Sequence, residues 1–107
     1  MLEYAIRIDN KYYSNPSRLN LIIGRKKLDL SNRGLAKMAK ISPCSISTAE
    51  VGGSLGVNNA KLIANIIGIK YWEVLETFQY DDENKQFVGE DGTIYQVDDV
   101  KDYVGVK

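Results

Sequence analysis

The sequence predicts a mainly α domain of five short helices, with a short strand before them and a β-hairpin after them. Three observations carry that expectation. Between Ser31 and Glu50 two helix starts follow one another closely, each with a serine able to cap it. From Leu62 to Ile67 apolar residues return at helical spacing. At both ends the pattern changes to alternation, in Leu2, Tyr4, Ile6 and Ile8 and again from Phe87 to Val97 around a Glu90-Asp91-Gly92 turn.

In chain order, Leu2 to Ile8 alternates with Glu3, Ala5, Arg7 and Asp9, which reads as a strand that Asp9-Asn10 turns. Asn15-Pro16 opens the first helix, with Leu19, Ile22 and Ile23 on its buried side. Arg25, Lys26 and Lys27 fall in its last turn, where cations suit the negative helix end and equally suit phosphate. Ser31 caps the second helix, in which Leu35, Ala36, Met38 and Ala39 share one side. Small Ala36 lets a third helix cross close by. That helix starts with Ser42 as cap and Pro43 at the first helical position, and Ile46 and Ala49 face back toward the second. Two helices this short cannot bury their apolar faces alone, so the flanking chain must complete the core.

Val51 to Val57 is a glycine-rich loop. It has no Gly-Lys-Ser/Thr ending and no preceding buried strand, which argues against a nucleotide-binding loop. The fourth helix starts at Asn58-Asn59, presents Leu62, Ile63, Ile66 and Ile67 as a broad apolar face, and ends at Gly68. A last helix runs through Trp72, Leu75 and Phe78, with Trp72 as a core or subunit-interface anchor. Tyr80 to Asn84 is a polar break before the hairpin, and Asp98 caps a short helical turn after it. A lone hairpin is marginal in water, so this one is expected to pair with the N-terminal strand or with another subunit.

The 107-residue chain has room for one modest core. Its fourteen basic and fourteen acidic residues cancel, but not locally. Residues 1–78 hold eleven Lys/Arg against six Asp/Glu, and residues 79–107 hold three against eight. A basic body with an acidic tail follows. The N-terminus lacks the cationic start and apolar run of a signal peptide, and no apolar stretch is long enough to span a bilayer, so a cytoplasmic protein with no membrane partner is expected. Cys44 is the one cysteine and there is no histidine, which excludes zinc sites of the usual ligand set and makes nucleophile–base catalysis hard to build. No enzyme, metal or cofactor is expected, and Cys44 reads as a small packing thiol rather than a redox switch.

The order of these signals resembles a known family. Ser31-Asn32-Arg33-Gly34-Leu35-Ala36 is similar to the S-Q-x-x-L-A pattern of the Cro/CI-type (XRE, lambda-repressor-like) helix-turn-helix transcriptional regulators. The similarity continues through Ile41, Ile46-Ser47, Glu50 and Gly52 to Leu62–Ile69 and Trp72–Leu75, covering residues 18–76. The resemblance implies a five-helix lambda-repressor-like domain over residues 15–78, between an N-terminal extension (1–14) and an acidic hairpin and tail (79–107). It also implies a buried ion pair between Arg25 and Glu50. The chain departs from the family at Lys40, where a glycine is favoured in the turn, at Gly34, where a glutamate would complete a capping box, and at Asn32, which is one methylene shorter than the usual glutamine.

By the same resemblance, Pro43, Cys44, Ser47 and Thr48 face base edges in the major groove. All four are short, and none is the Arg, Lys, Asn or Gln that pairs bidentately with guanine or adenine. Sequence discrimination then leans on hydroxyl contacts, a Thr methyl on thymine and duplex shape. Phosphate contacts are expected from the helix starts at Asn32, Ser42 and Asn58-Asn59, with charge from Arg33, Lys37, Lys40 and Lys61. The expected function is a sequence-specific, dimeric regulator of transcription, a repressor or Cro-like switch on double-stranded DNA. The alternative is a protein-interaction module that has lost base readout and acts through its acidic tail.

Overall fold

The structure, a computed structural model, describes residues 5–8, 11–14 and 17–106. Strand β1 (Ala5–Ile8) pairs antiparallel with β2 (Lys11–Ser14), Ile6 opposite Tyr13 and Ile8 opposite Lys11. The expected strand is therefore present in part, and its partner is the segment just after it. Leu2 to Tyr4 and the expected Asp9-Asn10 turn lie outside the described residues.

Helix α1 (Leu19–Lys27) starts later than expected, and Asn15-Pro16 lie outside the described residues. Ser17 explains the delay. Its N–H donates to the Phe78 carbonyl at 2.9 Å and its own carbonyl accepts from the Phe78 N–H at 2.6 Å, an extended bridge that holds the chain out of helix. Helix α2 (Asn32–Ala39) opens where Ser31 Oγ accepts from the Gly34 N–H at 3.0 Å. Ser42 Oγ accepts from the Cys44 N–H at 3.2 Å and opens α3 (Pro43–Glu50), with Pro43 in its first turn. Between the two helices Lys40 takes the left-handed conformation at φ 59°, the geometry for which the turn favours glycine. Helix α4 (Val57–Ile67) starts one residue ahead of Asn58, with Gly56 at its cap, and ends at left-handed Gly68.

Helix α5 (Tyr71–Leu75) is only five residues long. Glu76 turns to extended backbone at φ −60° and ψ 127°, so the helix stops before Phe78. Phe78 begins a strand instead. Strands β3 (Phe78–Asp81), β4 (Gln86–Gly89) and β5 (Ile94–Gln96) form an antiparallel meander in that order. The expected two-stranded hairpin is thus its second half, and the polar break is a strand end and a turn. Gln96 precedes α6 (Val97–Val100) without a side-chain cap, and Asp98 sits in its first turn instead of capping it. Strand β6 (Gly105–Val106) then pairs with β1, giving a second sheet of order β2-β1-β6. Residues 105–106, not the hairpin, partner the N-terminal strand.

Helix α1 is buried on two sides, which positions everything else. Leu21 packs with Leu35, Ala36, Ala39, Ile46, Ala49, Ala60, Ile63 and Val74 in a core shared by α1 to α5. Leu19, Ile22 and Ile23 face the other way, onto Phe78, Phe87, Val100 and Val104. The acidic C-terminal segment is therefore fixed to the helical body by a core of its own. Each fully buried Leu, Ile, Val or Phe contributes about 1.5–3 kcal/mol. The fourth-helix face is narrower than expected, since only Ile63 of its four large apolar residues is fully buried and Leu62 is exposed. Trp72 is 51% exposed and so is not a core anchor. Among the described residues no helix is long and apolar enough to cross a membrane.

Candidate nucleic-acid interface

The turn at Lys40 sets α3 against α2, and the ion pair behind it fixes the orientation. Arg25, at the end of α1, donates through Nε to Glu50 Oε2 at 2.6 Å and through Nη2 to Oε1 at 3.2 Å. Its Nη1 also donates to the Leu30 carbonyl at 2.8 Å. Both side chains are nearly dry, so Arg25 is not available to phosphate. Lys26 is also engaged inside the protein, donating to the Tyr103 carbonyl at 2.8 Å. Lys27, the third cation of that turn, is exposed.

Ile46, Ala49 and Glu50 point inward from α3, and helical periodicity turns Pro43, Cys44, Ser47 and Thr48 outward, where all four are exposed. Ser47 is held by two side-chain hydrogen bonds. Its hydroxyl donates back to the Pro43 carbonyl at 3.3 Å and accepts from Asn32 Nδ2 at 2.9 Å. The residue expected to touch phosphate and a residue expected to touch bases are thus joined across the start of α2 and the middle of α3. Asn32 is half-buried, while Arg33, Lys37, Lys40 and Ser42 are exposed on the same two-helix unit.

The fourth-helix residues divide. Asn58 is exposed in the first turn of α4 and Asn59 is half-buried. Lys61 stands apart, with its ammonium 5.1 Å from the centre of the Tyr71 ring, so its charge is drawn toward α5 rather than the α2–α3 surface.

Sign of charge unifies the surface. Between Leu30 and Trp72 the sequence contains one carboxylate, Glu50, and that one is buried against Arg25. Every exposed charge of the stretch is therefore positive. Such a surface can hold phosphate oxygens by Coulomb attraction and by the N–H groups at the start of α2, whereas those at the start of α3 are taken up by Ser42; hydroxyls of α3 offer donors and acceptors to base edges.

Two residues that shape this unit carried no sequence signal. Arg18 is buried, donating through Nη1 to the carbonyls of Ala49 at 2.9 Å and Gly53 at 2.5 Å, and through Nε to Leu75 at 3.2 Å. It ties the end of α3, the glycine-rich loop and the end of α5 together, and burial lowers its pKa from the usual arginine range against the opposing pull of Glu90. Glu76 is buried too, accepting from the Asp91 N–H and the Thr93 hydroxyl, both at 3.0 Å. These contacts join residues far apart in sequence, which no local pattern announces. Comparison of the chain with protein-family models, with curated proteins and with solved structures finds no match.

Proposed function

We propose that this chain is a DNA-binding transcriptional regulator of the Cro/CI-type, lambda-repressor-like kind, docking α3 in the major groove of double-stranded DNA. The observation that carries the reading is the charge of the Leu30–Trp72 segment that forms α2 and α3, whose exposed charges are all positive and whose one carboxylate is internally neutralised. Arg33, Lys37 and Lys40, the start of α2 and the exposed Ser42 hydroxyl hold the phosphate backbone. Ser47 and Thr48 then meet base edges, with Pro43 and Cys44 at the tip of the helix. Short side chains let α3 sit deep in the groove, so duplex shape supplies part of the selectivity. The protein acts in the cytoplasm as a homodimer that spaces two α3 helices about one helical turn apart, as a repressor or a Cro-like switch.

Duplex binding measured across a salt series tests this. Affinity should fall steeply with salt, and Arg33→Ala, Lys37→Ala or Lys40→Ala should each lower the slope of log K against log salt by about 1. A salt-independent affinity, or slopes unmoved by all three substitutions, would overturn the reading.

A protein-interaction module is the second reading. Half-exposed Trp72 and the outward Val88 and Ile94 of the acidic sheet favour it, because exposed apolar side chains of this size are what a protein partner covers. It requires salt-insensitive binding to a protein and no duplex binding.

A further inference from the structure

The acidic C-terminal segment does not hang free of the proposed DNA surface. Val100 and Val104 are buried in the core against α1, and the Tyr103 carbonyl between them accepts from Lys26 at 2.8 Å. This anchoring brings Asp102 and Tyr103 to the wall of a cleft of about 610 Å³ whose other wall is the start of α2. The charged groups lining it are Arg25, Lys26, Asp29, Arg33 and Asp102. Arg25 is neutralised by Glu50, and among the described residues Arg33 then shares the cleft with the carboxylates of Asp29 and Asp102. Asn32 and Arg33 thus lie in one cleft with Asp102, although some seventy residues separate them in sequence. A phosphate drawn to Asn32 and Arg33 enters a cleft that Asp102 also lines.

We propose that Asp102 is a built-in electrostatic brake on DNA binding, held at the phosphate-facing start of α2 by the Lys26–Tyr103 contact and the burial of Val100 and Val104. The inference rests on the DNA-binding reading and adds the regulation of that same surface. Like charge at this position weakens phosphate binding, and removing it strengthens binding without any new contact. Any event that lifts residues 100–104 from α1 therefore raises DNA affinity.

The test compares the full chain with Asp102→Asn and with Glu83→Gln, which makes the same change of charge in the β3–β4 turn, outside the cleft. The probe is a random-sequence duplex about two helical turns long, titrated at low and at high salt, with thermal unfolding run on each protein to show that all are folded. The expected result is tighter binding by Asp102→Asn of about two- to fivefold at low salt, little change for Glu83→Gln, and loss of the difference at high salt. Equal tightening by both variants, or none by Asp102→Asn, overturns the brake and leaves the DNA reading standing. If none of the three proteins binds the duplex at low salt, the DNA reading fails and the brake fails with it.

Discussion

Arg25 and Glu50 are twenty-five residues apart in sequence and meet side by side at 2.6 Å in a region closed to water. They couple the end of α1 to the end of α3, so the pose of the proposed reading helix depends on one buried ion pair. Removing either partner leaves an uncompensated charge. Glu50→Ala should cost about 3–5 kcal/mol in chemical denaturation, whereas Arg25→Met combined with Glu50→Leu should recover most of that loss. A loss below about 1 kcal/mol for Glu50→Ala would place the pair in an exposed, screened setting.

Lys40 separates stability from binding. Its side chain sits on backbone at φ 59°, which glycine adopts without strain. Lys40→Gly should stabilise the fold by about 0.5–1 kcal/mol and at the same time weaken duplex binding, since it deletes one exposed cation. Thermal unfolding and a duplex titration on the same preparation check both signs.

Arg18 donates to three carbonyls, those of Ala49, Gly53 and Leu75, and the first of them also accepts from the Gly52 N–H at 3.1 Å. Arg18→Met keeps the length of the side chain and removes the donors, and should cost about 2–3 kcal/mol in urea denaturation. Because the loop from Val51 to Val57 hangs on this residue, proteolysis within it should speed up as well.

Alkaline pH acts on the junction between α1 and the C-terminal sheet. Tyr95 donates to Asn20 Oδ1 at 2.5 Å, and its pKa is raised by burial and then by the nearby Glu76 and Glu73 carboxylates. Tyr80 is raised by burial and by its contact with Asp82. The folded state therefore holds these protons above the pH at which the unfolded chain releases them. Stability should be fully present below about pH 10 and fall as pH rises through the folded pKa values. Tyr95→Phe should flatten the alkaline fall without removing it, since Tyr80 still contributes. A denaturation series from neutral to alkaline pH reads the slope.

The limits of α3 were legible because its signals are local, a capping serine, a proline at the start and two inward apolar residues within eight positions. Gly68 announced the end of α4 in the same way. The Arg25–Glu50 pair was expected only from a family resemblance, since nothing in their spacing brings a buried cation to a buried carboxylate. The first strand of the meander was hidden because Trp72, Leu75 and Phe78 keep a helical interval across a break that Glu76 makes in the backbone. Phe78 also belongs to an alternating set with Tyr80, and the bridge to Ser17 decides in favour of the strand. In β2, Tyr12 and Tyr13 are strand-favouring residues without clean alternation, and β6 is two residues long with its partner at the other end of the chain. On the proposed interface the outward residues of α3 followed from periodicity, but the Asn32–Ser47 bond and the return of Asp102 to the start of α2 are tertiary facts.

The most direct test of the central claim is selection from a library of random duplexes at two salt concentrations, with the native chain and a Ser47→Glu, Thr48→Glu variant side by side. The proposal expects the native chain to enrich one motif, most clearly at low salt, and the variant to lose it while remaining folded, because both substitutions set negative charge against the groove. Enrichment of the same motif by both proteins would show that α3 is not the reader, and no binding by the native chain even at low salt would contradict the DNA-binding function itself.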